Sequence, residues 1–145
     1  MPRYKDGKLD AAVVKKHPNF SRVLDIMQEI AVNQKESITE SRYFELCDNG
    51  KHYERTDEYV TFSAYEQMFF PHNNSMICKT DGEPCDTAVV ACYHVASTLM
   101  KEFYRFDSDG DDSCDDPNDP YQNARGTLLD KGIQLGDDMM NKIEQ

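Results

Sequence analysis

"DEYVTFSAYEQMFF", residues 57 to 70, reads in two ways, and the choice between them decides the fold class. Tyr59, Val60 and Thr61 are β-formers, because aromatic and β-branched side chains suit a pleated surface. Tyr59, Phe62, Tyr65 or Glu66, and Phe69 instead recur at the three- and four-residue steps of one helix face. Pro71 ends either structure. The helical step spans more of the segment, so a helix is expected at least from Ser63, with a minor strand near 57–62 as the alternative. On that choice the chain is mainly α: a compact helical single domain.

The segments on either side carry the same expectation. "PHNNSMICKTDGEP", residues 71 to 84, is loop chemistry with a turn at Thr80-Asp81-Gly82. Beyond it, Cys85, Ala88, Val89, Cys92, Val95, Ala96, Leu99, Phe103 and Phe106 fall on one face of a helix over about residues 86–106. This is the expected central element. Upstream, Phe20, Val23, Leu24, Met27, Ile30 and Ala31 give a second helix to about residue 34, with Asn19 or Ser21 as its cap. Ser37-Ile38-Thr39-Glu40 has the Ser-x-x-Glu form of a capping box, which predicts a short helix across Tyr43, Phe44 and Cys47 before "DNG" at 48–50. Leu128, Leu135, Met139 and Ile143 continue a helical pattern that Gly126, Gly132 and Gly136 break into two short pieces. Residues 1–17 read as a polar arm, weakly tied to the domain spanning 18–145.

A chain of 145 residues is one domain of ordinary size. Leu, Ile, Val and Phe together fall just under the fifth or so of the chain below which a highly charged sequence is suspected of disorder. Eight Tyr and seven Met restore buriable surface that this count misses.

The net charge of −11 is uneven. Five Lys or Arg face two Asp in residues 1–17, whereas "DSDGDDSCDDPNDP", residues 107 to 120, carries seven aspartates and no base. Direct nucleic-acid binding is disfavoured, since it needs a basic footprint. The same field favours a basic partner. Nothing reaches membrane-spanning length, and no apolar run near Met1 fits a signal peptide, so a cytoplasmic setting without membrane contact is expected. Five cysteines, Cys47, Cys78, Cys85, Cys92 and Cys114, then read as reduced thiols rather than a disulfide framework.

The aspartates of 107–120 invite comparison with a calcium loop. Asp107, Asp109 and Asp111 occupy positions 1, 3 and 5 of an EF-hand count. The pattern then departs: Asp112 stands where the sharp turn needs glycine, and Asn118 where a bidentate Glu belongs. Asp107, Asp109, Asp111 and Asn118 remain the calcium-ligand alternative, against the commoner role of an aspartate run as a solvated connector. For zinc, Cys85 and Cys92 lie roughly 10.5 Å apart along a helix, too far to share one tetrahedral ion. A zinc site would need Cys78, Cys85, Cys47 and one of His52 or His72 gathered from separate segments, and His94 points off the apolar face. Cys85 at a helix start has the position of an activated thiol, but Glu83 and Asp86 beside it oppose a thiolate. The sequence holds no G-x-S-x-G, P-loop or G-x-G-x-x-G. The aromatics Phe62, Tyr65, Phe69 and Phe70 are expected in the core, a preference that exposure of several together would reverse.

The functional expectation is a non-enzymatic acidic interaction or assembly subunit that binds a basic region of a macromolecular partner. Asp107, Asp109, Asp111, Asp112, Asp115, Asp116 and Asp119 are its expected contacts. The composition fits a small viral or phage accessory protein, including one that mimics nucleic-acid charge. The alternatives are a calcium-binding module on the same aspartates and, third, a cysteine- or metal-dependent enzyme; no cofactor is otherwise expected.

Overall fold

The computed structural model describes residues 4–5, 8–9, 11–63, 65–71, 82–100 and 103. Two short strands, β1 (Tyr4–Lys5) and β2 (Lys8–Leu9), pair antiparallel and lead into α1 (Ala11–Val14). Then come α2 (Phe20–Asn33), α3 (Lys35–Thr39), β3 (Glu54–Arg55), β4 (Val60–Ser63), β5 (Gln67–Phe70) and α4 (Asp86–Leu99). The last three strands form an antiparallel sheet in the order β3-β4-β5.

The sheet corrects the mainly-α expectation. Val60–Ser63 and Gln67–Phe70 are the paired strands of a hairpin, not a helix, and the fold is mixed α and β. Pairing puts Val60 opposite Phe70 and Phe62 opposite Met68, and all four side chains are fully buried. A helix over the same residues would turn only one stripe inward, whereas the two-residue period of a hairpin delivers four large apolar groups to one face. Tyr59 and Phe69, which completed the helical step in the sequence, stack on each other with ring centroids 5.2 Å apart. Thr61, partner of Phe69, is buried by its neighbours, and its hydroxyl donates to the Met68 carbonyl at 2.6 Å.

α2 conforms to its sequence pattern, burying Phe20, Val23, Leu24, Ile26, Met27, Ile30 and Ala31. This stripe meets both α4 and β4, and the Phe20 ring stacks on Phe70 at 5.9 Å. Arg55 ties the sheet to the polar side of α2, donating to Asp25 and to Gln28, each at 2.8 Å. α4 is the most enclosed element: nine of its residues are buried and none is exposed. His94, read as lying off the apolar face, is itself buried, because neighbours surround the helix rather than lining one side. Val14 of α1 belongs to the same core.

Two helix ends differ from expectation. α4 ends at Leu99, because Met100 leaves helical geometry (φ −130°, ψ 47°) and Asn19 Nδ2 donates to the Leu99 carbonyl at 2.8 Å; of the further run expected to 106, residues 101, 102 and 104–106 lie outside the described residues. That side chain therefore does not cap α2, although Asn19 sits at its N-cap position. α3 also falls earlier than the capping-box reading. Ser37 lies inside the helix and donates to Gln34 Oε1 at 3.1 Å, and Tyr43, Phe44 and Cys47 lie beyond its end. The segment expected at 121–145 lies outside the described residues. Among the described residues no helix is long and apolar enough to cross a membrane.

Candidate interaction surface

Residues 43–47 form a strip along the edge of β4, on the side that β3 occupies further on. Glu45 is bridged antiparallel to Ser63, the Cys47 thiol donates to the Thr61 carbonyl at 3.9 Å, and the ring of Tyr43 meets that of Tyr65 at 5.5 Å. The one backbone bridge among these is Glu45 with Ser63; Tyr43 and Cys47, two residues to either side, make their contacts through their side chains. Beyond it the chain folds back on itself. The Cys47 amide donates to the Lys51 carbonyl and the Gly50 amide to the Cys47 carbonyl, at 2.8 and 2.9 Å. Gly50 closes this turn at φ 78°, a backbone conformation that glycine adopts without steric cost.

Tyr43 is held out from the surface by what fixes its neighbours. On one side Ser41 is buried; its hydroxyl accepts from the Cys85 amide at 2.7 Å and donates to the Ser37 carbonyl at 2.9 Å. The Arg42 amide donates to Glu83 Oε1 at 2.6 Å. On the other side Phe44 packs on the core and the Glu45 amide donates to the Ser63 carbonyl at 3.4 Å. Between these anchors Tyr43 takes φ 67°, the left-handed region that costs a non-glycine residue about 1 kcal/mol or more. The residue is 67% exposed, and Leu46, further along the strip, 61%. Tyr65 beneath is half-buried against the core. A strained, exposed aromatic on an otherwise well-bonded segment is a common feature of binding sites.

The stretch of chain that carries the strip is acidic. Between Glu40 and Glu66 the sequence holds seven carboxylates and three basic side chains. Two of those bases are engaged elsewhere: Arg55 with Asp25 at 2.8 Å, and Arg42 towards Glu83 at 3.9 Å. The exposed carboxylates of Glu40 and Glu45 make no ion pair among the described residues. Further along, the Tyr59 hydroxyl donates to Glu54 Oε1. This bond raises the Tyr59 pKa, with burial and the negative charges of Glu54 and Asp48 adding to it. The Cys47 thiol is likewise pushed up, first by burial and then by Glu54 and Asp48. Electrostatics here oppose a thiolate, the reverse of what a nucleophilic cysteine needs.

The sequence candidates fall elsewhere. Asp107, Asp109, Asp111, Asp112, Asp115, Asp116, Asn118 and Asp119 lie outside the described residues, as do Cys78, Cys114 and His72. Cys85 and Cys92 are buried in the core. The His52 ring nitrogen Nε2 donates to the Ala31 carbonyl at 2.8 Å, at the C-terminal end of α2. Among the described residues no group of three His, Cys, Asp or Glu is placed to hold a metal ion. Tyr43, Glu45 and Leu46 were missed because the capping-box reading put this segment on a helix. The usable signal was the strand character of 59–61, which calls for an edge partner. Compared with known proteins, the chain matches no family model, no curated relative and no solved structure.

Proposed function

We propose that the protein is a non-enzymatic interaction subunit whose acidic surface binds a basic segment of a partner protein. One observation carries this reading: Tyr43 and Leu46 stand exposed on an anchored strip, within a stretch of chain, residues 40–66, whose carboxylates outnumber its bases. Aromatic and aliphatic side chains supply contact area at the centre of an interface, and charge around them selects the partner and speeds encounter. Because the segment is already bonded in place, little ordering entropy is lost on binding. The seven aspartates between Asp107 and Asp119 add charge of the same sign. At long range that charge steers a basic partner towards the protein.

The test is direct titration with a Lys- and Arg-containing peptide across a salt series, with an acidic peptide of equal length as control. The reading predicts binding of the basic peptide alone, weakening steadily as salt rises and weakened again in Glu45→Gln. Equal binding of both peptides, or affinity indifferent to salt, would contradict it.

A further inference from the structure

We propose that Tyr43, Tyr65 and Glu45 form a seat selective for arginine over lysine in the basic segment of that partner. The inference rests on the preceding reading and adds the identity of the anchoring side chain. The two tyrosine rings lie 5.5 Å apart and tilted by 48°, so they meet at an angle instead of covering each other face to face. Tyr65 is fixed against the core and Tyr43 is 67% exposed, which leaves aromatic surface open beside a supported base. Glu45 follows two residues along the strip, its backbone bridged to Ser63 and its exposed carboxylate in no ion pair among the described residues. A planar guanidinium stacks on a tyrosine face and at the same time presents parallel N–H donors to a carboxylate.

An ammonium group fits this arrangement less well. It is compact and strongly hydrated, and it gains its attraction to a ring only by giving up water. Arg42, next to Tyr43 in the chain, reaches towards Glu83. The proposed occupant is an arginine of the partner. A second copy of this chain, offering its basic residues 1–17, is the competing source.

The experiment uses the full chain and two labelled Gly/Ser peptides that carry arginine or lysine at identical positions, titrated by fluorescence anisotropy. Arginine is expected to bind about five-fold more tightly. Tyr43→Phe retains a ring and should keep most of that preference, whereas Tyr43→Ala should abolish it while circular dichroism shows the fold intact. Glu45→Gln should weaken the arginine peptide more than the lysine peptide. Equal, salt-sensitive binding of both peptides would overturn the arginine seat and leave the basic-partner reading standing; failure of both to bind would overturn the two together. A preference that survives Tyr43→Ala would also overturn the seat, and concentration-dependent self-association abolished by Tyr43→Ala would overturn its assignment to a partner protein.

Discussion

Tyr43 meets Tyr65 ring to ring at 5.5 Å, two residues from the bridge between Glu45 and Ser63, so a residue beyond the end of α3 is held against the β4–β5 hairpin. The positive φ at Tyr43 is a cost that glycine would not incur. Tyr43→Gly should therefore leave unfolding free energy unchanged or raise it by up to ~1 kcal/mol, the relieved strain offsetting the lost ring contact. Peptide binding should nonetheless fall steeply. Chemical denaturation and titration of the same variant check the two halves, and a residue kept for stability alone would show the opposite pattern.

Ser41 connects the end of α3 to the start of α4. Its buried hydroxyl accepts from the Cys85 amide, and Ser41→Ala leaves that donor without a partner where water does not reach. A loss of ~1–3 kcal/mol in urea unfolding is expected. The strip beyond Ser41 shares the anchor, so amide exchange at 42–45 should accelerate as well.

Asn19 separates propensity from tertiary structure. By capping preference Asn19→Asp is neutral, because both residues are good N-caps. Here the side-chain amide donates to the Leu99 carbonyl, and a carboxylate cannot. Asn19→Asp should cost ~1–3 kcal/mol in thermal or urea unfolding, as should Asn19→Ala. A neutral Asn19→Asp would show that the link between α2 and α4 carries no weight.

Cys47 and Tyr59 give the protein an alkaline limit. Both pKa values are raised in the folded state, Cys47 chiefly by burial and Tyr59 chiefly by its bond to Glu54. The folded chain thus keeps these protons after the unfolded chain has lost them. Their contribution is fully present below the ordinary thiol and phenol values of about 8.5 and 10, and is lost as pH rises beyond. Stability should decline through that range, less steeply in Cys47→Ala. Alkylation of Cys47, followed by peptide mass spectrometry, should need a higher pH in the folded protein than in the urea-unfolded chain.

What was legible in the sequence was the part governed by one periodicity. α2 follows its apolar steps almost to the residue, and α4 is placed correctly at its start. Residues 57–70 were not legible, because Tyr59, Phe62, Tyr65 and Phe69 mimic a helical step while belonging to both faces and the turn of a hairpin. Only the pairing of Val60 with Phe70 and of Phe62 with Met68 removes the ambiguity, and pairing is a non-local fact. The exposed strip was hidden for the same reason. Ser37 and Glu40 satisfy a local capping pattern, and the competing contacts of Ser41 with Cys85 and Glu45 with Ser63 join residues far apart in the chain.

The central claim is that a basic segment docks on the strip from Tyr43 to Cys47 and its support around Tyr65. Amide chemical-shift mapping of the labelled protein, titrated with the arginine peptide at low salt, tests it most directly. Saturable shifts are expected at residues 41–47 and 63–66, lost in Tyr43→Ala. Shifts confined to other segments, such as 107–119, with the strip unmoved would contradict it.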